Sequence, residues 1–228
     1  MVPRQDGGRA PAITREALAA AALTVLERDG LDALSMRRVA AELDVQAASL
    51  YWHVRNKEEL LDLLADAVLA GIDLDVPGGP WRERMRVMAH RYRAHLKSRR
   101  DAVRVIGGRF VVGPHSAALM DRALGVFREG GFSPAGAAAG LYLVSVVYVQ
   151  GFVLQETGPL RAIEANGGSP KQAMAAVAEE LAALRPGAFP SLMEATGYLV
   201  TLNLDDRFAW GLEVVLDGLE RRLAAGQA

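Results

Sequence analysis

Residues 35–57 read SMRRVAAELDVQAASLYWHVRNK, and the fold turns on how this stretch is read. Met36, Val39, Ala40 and Leu43 recur at offsets of three and four, one apolar face of a short helix, with Ser35 placed to cap its N-terminus. Asp44-Val45 breaks that pattern. A second short helix begins at about Gln46; Leu50 and Val54 sit four apart and face inward, leaving Ala48, Ser49 and Trp52 outward with Tyr51 and His53 on the flanks. The outer face carries a methyl, hydroxyls, an imidazole and an indole, ringed by Arg37, Arg38, Arg55 and Lys57. This mixture suits base edges at the centre and phosphates at the rim, so the stretch reads as a DNA-binding helix-turn-helix.

Residues 50–62, LYWHVRNKEELLD, resemble the recognition helix and following helix of the tetracycline-repressor (TetR) family of transcriptional regulators. Trp-His after the Tyr is similar to the tetracycline-repressor branch of that family, and residues 30–45, GLDALSMRRVAAELDV, resemble its first-to-second helix segment. Trp81, Arg100-Asp101, Gly131-Phe132-Ser133 and the run Phe208-Ala209-Trp210-Gly211-Leu212-Glu213 resemble scattered points of its C-terminal domain.

The resemblance implies an all-α protein of three parts. Residues 1–56 form the helix-turn-helix domain with a free N-terminal tail, 57–76 a connecting fourth helix and linker, and 77–228 a larger ligand-binding and dimerisation domain. It also implies roles in DNA binding. Arg37 falls where the family reads a guanine, following Ser35 at the cap; Gln46 and Ala48 meet base edges, with Trp52 exposed beside them. Ser49, Tyr51, His53 and Lys57 hold phosphates. The family's base-reading Gln-Pro pair falls on Ala47 and Ala48, so the operator should differ from the tetracycline operator.

Composition sets wider limits. A chain of 228 residues, 51% hydrophobic, is long enough for one large or two modest domains. The formal net charge of -1 leaves DNA binding to local placement of bases, with Glu16, Glu27, Asp29 and Asp32 outside the motif. No cysteine is present, which excludes thiolate catalysis and Cys-containing metal sites and suits the cytoplasm. No catalytic motif is found, and His90 and His95, five apart, point about 140° away from each other on a helix. Neither an enzyme nor a cofactor is expected. Residues 137–154 run without a formal charge, yet Tyr142, Ser145, Tyr148 and Gln150 interrupt them, which favours a helix buried between others over a membrane span.

Further along, Asn56 with Glu59 resembles a capping box opening a helix with Leu60, Leu63, Leu64, Ala67 and Val68 at helical spacing. Pro77 to Pro80 mark a boundary. Helices are expected from Trp81 to about Ser98, Val103 to Phe110, Ser116 to Glu129, onward from Ser133, Lys171 to Leu184, Ser191 to about Thr201 and Asp205 to Ala225, with Gly158 to Pro170 a loop. Met85, Met88, Tyr92, Ile106, Phe110 and Tyr142 are candidate lining for a flat organic ligand, and read equally as plain core; Arg109 is the charge expected to meet a ligand acid or carbonyl. By resemblance, Met88, Tyr92 and Ile106 take the places of the Asn, Phe and magnesium-binding His that hold tetracycline. An alkyl group cannot ligate a metal, so a hydrophobic or aromatic effector is expected in place of tetracycline-magnesium. The expected partners are a double-stranded operator, that effector and a second copy of the chain, with no membrane. Two rivals remain: a DNA-binding regulator with a filled body and no effector, and a ligand-binding helical protein without DNA binding.

Overall fold

The computed structural model describes residues 13–165, 167–184, 187–201 and 203–228. Arg4 and Arg9, expected in a tail that could reach a phosphate or minor groove, lie outside them. All regular structure among the described residues is helical. In chain order the helices are α1 (Arg15–Asp29), α2 (Met36–Glu42), α3 (Ala47–Leu50), α4 (Lys57–Val68), α5 (Trp81–Ser98), α6 (Ala102–Ile106) and α7 (Pro114–Glu129). Then come α8 (Pro134–Leu141), a π-helical segment (Tyr142–Gln150), α9 (Gly151–Ala165), α10 (Pro170–Ala182), α11 (Pro190–Thr201) and α12 (Leu204–Ala224). They form two compact units, one holding the described residues up to Gly71 together with Arg99–Ala117, the other holding Ile72–Ser98 and Ala118–Ala228.

In the first unit, Thr14 opens α1 by accepting the Ala17 N–H, and Leu18, Ala22, Val25 and Leu26 are wholly buried. Ser35 accepts the Arg38 N–H and opens α2, which buries Val39 and Ala40. The turn that follows is a helix-closing motif. Asp44 swings into the left-handed region at φ 54°, and the Val45 N–H returns to the Ala40 carbonyl at 3.0 Å. That single reversal aims α3 away from α2. Leu50 and Val54 are buried as their spacing requires, so the side chains between them face outward.

Asn56 caps α4 by accepting the Glu59 N–H at 2.9 Å, but the Glu59 carboxylate turns to the Arg55 N–H at 2.8 Å, leaving the expected capping box half made. α4 packs on α1 and α6. α6 is shorter than its apolar run suggested: Gly107 is extended and Gly108 left-handed at φ 73°, so Arg109 and Phe110 fall beyond its end.

In the second unit, α5 buries Met85, Met88, Ala89, Tyr92 and Leu96, as its periodicity requires. It also buries Arg84 and Arg93, two charged residues of the same helix. Trp81 packs on Phe127 and Phe132 with ring centroids 5.8 and 4.9 Å away. α12 buries Phe208, Leu212, Leu216 and Leu219. Gly211 is needed here, because a Cβ would lie 2.5 Å from the Tyr148 hydroxyl.

One expectation is corrected. The loop expected over 158–170 is helical as far as Ala165; Pro159 removes one backbone donor without ending α9, which closes with the Gly168 N–H on the Ile163 carbonyl at 2.9 Å. The apolar helix opened by Ser133 is not buried within one chain, since Tyr142, Leu143, Val146, Val147 and Leu154 are exposed. By length and composition Pro134–Gly158 is long and apolar enough to cross a membrane.

Asp44 gives a direct test of the turn. Asp44→Gly should hold or raise stability, because glycine adopts positive φ freely, whereas Asp44→Val should lose about 1–2 kcal/mol in urea unfolding. Equal stability of the two variants would remove the left-handed residue from this account.

Candidate nucleic-acid interface

The outward residues of α3 and its following turn form one surface. Ala48 and Gln46 are exposed, Ser49 and His53 are half-buried, Tyr51 is exposed and Trp52 is 89% exposed. An indole so open to water is costly as decoration and suits contact with a partner. Lys57 and Arg37 are exposed, and neither has an ion-pair partner among the described residues. Ser35 is committed to capping α2.

The remaining bases near the motif are spent within the unit. Arg38 pairs with Asp29 at 2.9 Å, and Arg28 pairs with Asp29 and with Glu42 at 2.7 Å. Arg55, expected on the rim, pairs with Glu59 at 3.2 Å, although its side chain stays largely exposed. Among the described residues, Arg37 and Lys57 are thus the bases of this face with no ion-pair partner, consistent with a chain that is not basic overall.

Glu59 holds the reading turn in place. Its carboxylate accepts from the Arg55 N–H and from Arg15 at 3.0 Å, and Arg15 also donates to the His53 carbonyl at 2.8 Å. The Arg55 N–H, followed by the Arg15 and Arg55 guanidinium groups, pulls its pKa down to about 2. The first turn of α1 is thus pinned to the end of the recognition segment and to α4.

The opposite edge of α4 is tied to residues 109–116. Arg109 donates to Glu58 at 2.6 Å and Asp62 at 2.9 Å, and Asp66, buried, accepts the Ser116 N–H at 2.8 Å and the His115 N–H at 3.3 Å. The three acids stand at i, i+4 and i+8, one stripe of the helix. Asp66 serves the first turn of α7, where a carboxylate satisfies free N–H groups and the helix dipole together. Gly113 makes room for it: a Cβ there would stand 2.3 Å from the Asp66 carboxyl carbon.

The candidate ligand residues divide between the units. In the first, Ile106 is buried, Arg109 is engaged by Glu58 and Asp62, and Phe110 is fully exposed. In the second, Met85, Met88 and Tyr92 share the buried face of α5, the Tyr92 hydroxyl accepting from Gln150, while Tyr142 is exposed. Sequence reasoning missed a charged cluster beside them. Arg93 is held in a two-pronged pair by Glu156 at 2.7 and 3.0 Å and reaches Asp205 at 2.7 Å, with its guanidinium 4.6 Å from the Phe208 ring centre. Lys97 adds a bond to Glu156 at 2.5 Å. Arg93 and Lys97 stand four apart on one face, which was the available signal; Glu156 lies too far along the chain for any local spacing to announce it. Among the described residues no group of three or more His, Asp or Glu is placed to hold a metal ion.

Comparison with known proteins agrees with this arrangement. Residues 18–64 match the family described as bacterial regulatory proteins, tetR family, and residues 75–223 match the tetracyclin repressor-like C-terminal domain. The chain is 34% identical over 205 residues to the tetracycline repressor protein class A of Escherichia coli, covering 89% of this chain and 88% of that one. It is 34% identical over 151 residues to an HTH-type transcriptional regulator of Saccharopolyspora erythraea, and that match spans 64% of each. Apo ActR of Streptomyces coelicolor superposes with a TM-score of 0.81 at 32% identity, over 96% of this chain and all of that one. ActR bound to actinorhodin superposes with a TM-score of 0.79. The chain belongs to the TetR family and is a helix-turn-helix transcriptional regulator.

Two outcomes follow for the first unit. A carboxyl group depressed from 4.5 to about 2 stabilises the fold fully above pH 4.5 and loses that contribution as pH falls through 2. Glu59→Gln should therefore be less stable than the parent at neutral pH, and the gap should close on acidification through that window; a gap independent of pH would refute the assignment. Asp66→Ala, which strands two N–H groups, should cost about 2–3 kcal/mol in chemical unfolding, and a loss below about 0.5 kcal/mol would show that they find other acceptors.

Proposed function

We propose that this regulator is a repressor that binds a palindromic operator as a homodimer and is released from it by a hydrophobic, aromatic small molecule. The observation that carries the DNA side is the exposed Tyr51-Trp52 surface flanked by Arg37 and Lys57, which have no ion-pair partner among the described residues, while Arg28, Arg38 and Arg55 nearby are paired. Arg37 reads a guanine through its forked donors, Gln46 and Ala48 meet base edges, and Ser49, Tyr51, His53 and Lys57 hold phosphates. The two reading surfaces of a dimer enter successive major grooves, roughly 34–36 Å apart.

The exposed apolar residues of the 142–154 segment, with Trp210 and Val214 of α12, support burial of both helices against their counterparts in a second copy, a four-helix contact with twofold symmetry. The same contact removes the need for lipid around Pro134–Gly158. Work in the cytoplasm follows from this role.

For the effector, ActR in complex with actinorhodin supports an aromatic ligand. Ile106 in the place of a metal-binding imidazole speaks against tetracycline-magnesium. The chain leaves the second unit at Ser98 and returns to it within α7, so a ligand that shifts α5 or α7 pulls on residues 109–116 and, through Glu58, Asp62 and Asp66, on α4. Turning a population from 1:99 to 99:1 requires about 5.5 kcal/mol of preference for the released state.

Titration of the dimer with its own upstream DNA tests the DNA side. Arg37→Ala should weaken binding by about 1–3 kcal/mol and relax preference at one base pair, and Lys57→Ala should weaken all sequences alike and reduce the salt slope by about 1. Trp52→Phe should abolish the DNA-dependent emission change although Trp81 and Trp210 remain. Unchanged affinity in Arg37→Ala would move recognition elsewhere.

A further inference from the structure

Lysine and arginine together number 26 in this chain, and only three of them are lysines: Lys57, Lys97 and Lys171. The two side chains differ chemically. A guanidinium keeps its proton throughout the range in which proteins work, whereas a lysine amine can give up its proton, attack an activated acyl group and lose its charge in doing so. Lys97 is held by Glu156 at 2.5 Å, and the side chain of Lys171 lies outside those described. Lys57 is exposed on the reading surface and has no ion-pair partner among the described residues.

Two further observations set Lys57 apart. The acids that follow it in sequence are engaged by other groups, Glu58 by Arg109 at 2.6 Å and Glu59 by Arg15 at 3.0 Å and Arg55 at 3.2 Å. Lys57 is also the first residue of α4, the positive end of the helix dipole, where a cation is unfavourable. A charge that works against its own helix and meets no acid points to a use outside the fold. Nearby, Arg28, Arg38 and Arg55 are paired, so the charge of Lys57 is matched on this face by Arg37 alone among the described residues.

We propose that Lys57 is an acylation site through which an activated acyl group, an acyl phosphate or an acyl thioester, weakens DNA binding. The unprotonated Nζ attacks the acyl carbonyl carbon and a C–N bond forms. The C–O bond of the acyl phosphate or the C–S bond of the thioester breaks, phosphate or thiolate leaves with the bonding pair, and one Nζ proton passes to water. A neutral amide replaces the ammonium. Each subunit thereby loses a phosphate contact, while α4 loses an unfavourable charge. This rests on the reading of the surface as a DNA contact.

The test treats the full-length dimer with acetyl phosphate or with an acetyl thioester. Peptide mass spectrometry follows acylation at each lysine, and affinity for DNA from the chain's own upstream region is measured at several salt concentrations, each protein's untreated sample serving as its reference. Lys57 should be acylated several-fold faster than Lys97, and bound DNA should protect it. The treated parent should lose affinity on the order of tenfold, with a salt slope smaller by about 1 per subunit and no fall in its unfolding temperature. Lys57→Arg keeps a cation that acyl donors do not modify, so treatment should leave its affinity where its untreated sample stands. Reaction with either donor supports the site, and the faster one names its source. Acylation of Lys57 no faster than that of Lys97 would overturn the site while the DNA contact stands. An equal loss of affinity in treated Lys57→Arg would place the effect at another amine and overturn it too. Fast acylation that DNA does not block and that leaves affinity unchanged would overturn the phosphate contact itself, and the proposal with it.

Discussion

The carboxylates of α4 hold the first unit together from two sides. On one side Glu59 gathers Arg15, Arg55 and the Arg55 backbone, fixing the His53 end of the recognition segment. On the other, Glu58, Asp62 and Asp66 bind Arg109 and the first N–H groups of α7. Charge-assisted hydrogen bonds of this kind are directional, so α4 cannot slide or rotate without breaking one set. The exposed pairs are individually modest in energy; Asp66, shielded from water, carries the larger share. The orientation of Trp52 and Arg37 thus depends on a helix that lends its first residue, Lys57, to the same surface.

The second unit uses charge differently. Arg82 and Arg86 meet Glu213 on the edge of α5 and α12, and they hold its carboxyl down at about 2, Arg86 contributing most. Arg93 and Glu156, by contrast, are almost fully withdrawn from water, with side-chain exposures of 7% and 4%. A pair of this kind adds little net stability but is costly to break, and its fixed geometry gives α5 and α9 one register. The Phe208 and Phe152 rings beside the Arg93 guanidinium offset part of the lost hydration.

Apolar surface also divides into two kinds. Phe127, Phe132 and Phe208 are fully enclosed and set the core of the second unit. Val146, Val147 and Trp210 stay open on regular helices, the surface proposed above for association with a second copy. The π-helical winding between α8 and α9 serves both, directing Tyr148 to the Phe208 carbonyl at 2.6 Å and Gln150 to Tyr92 while Val146 and Val147 face out.

Much of the architecture is local and could be read from the chain alone. Apolar spacing within one element determined the helices around Val39, Leu50, Met88 and Leu212; side-chain caps determined their starts at Ser35, Asn56 and Ser133; and Asp44 marked the turn. The exposed face of residues 46–53 was legible because a helix with Leu50 and Val54 inward has no other way to point Trp52. Local signals misled where breakers were weighed without their surroundings, as at Gly158-Pro159. Tertiary structure alone decided that residues 99–117 join the first unit, that Arg38 is neutralised while Arg37 has no ion-pair partner among the described residues, that Glu156 lies beneath Arg93, and that Gln150 meets the Tyr92 hydroxyl. Each of these depends on groups brought together from distant parts of the chain, and a helical period of 3.6 residues records only which face a side chain takes, not which group will meet it there.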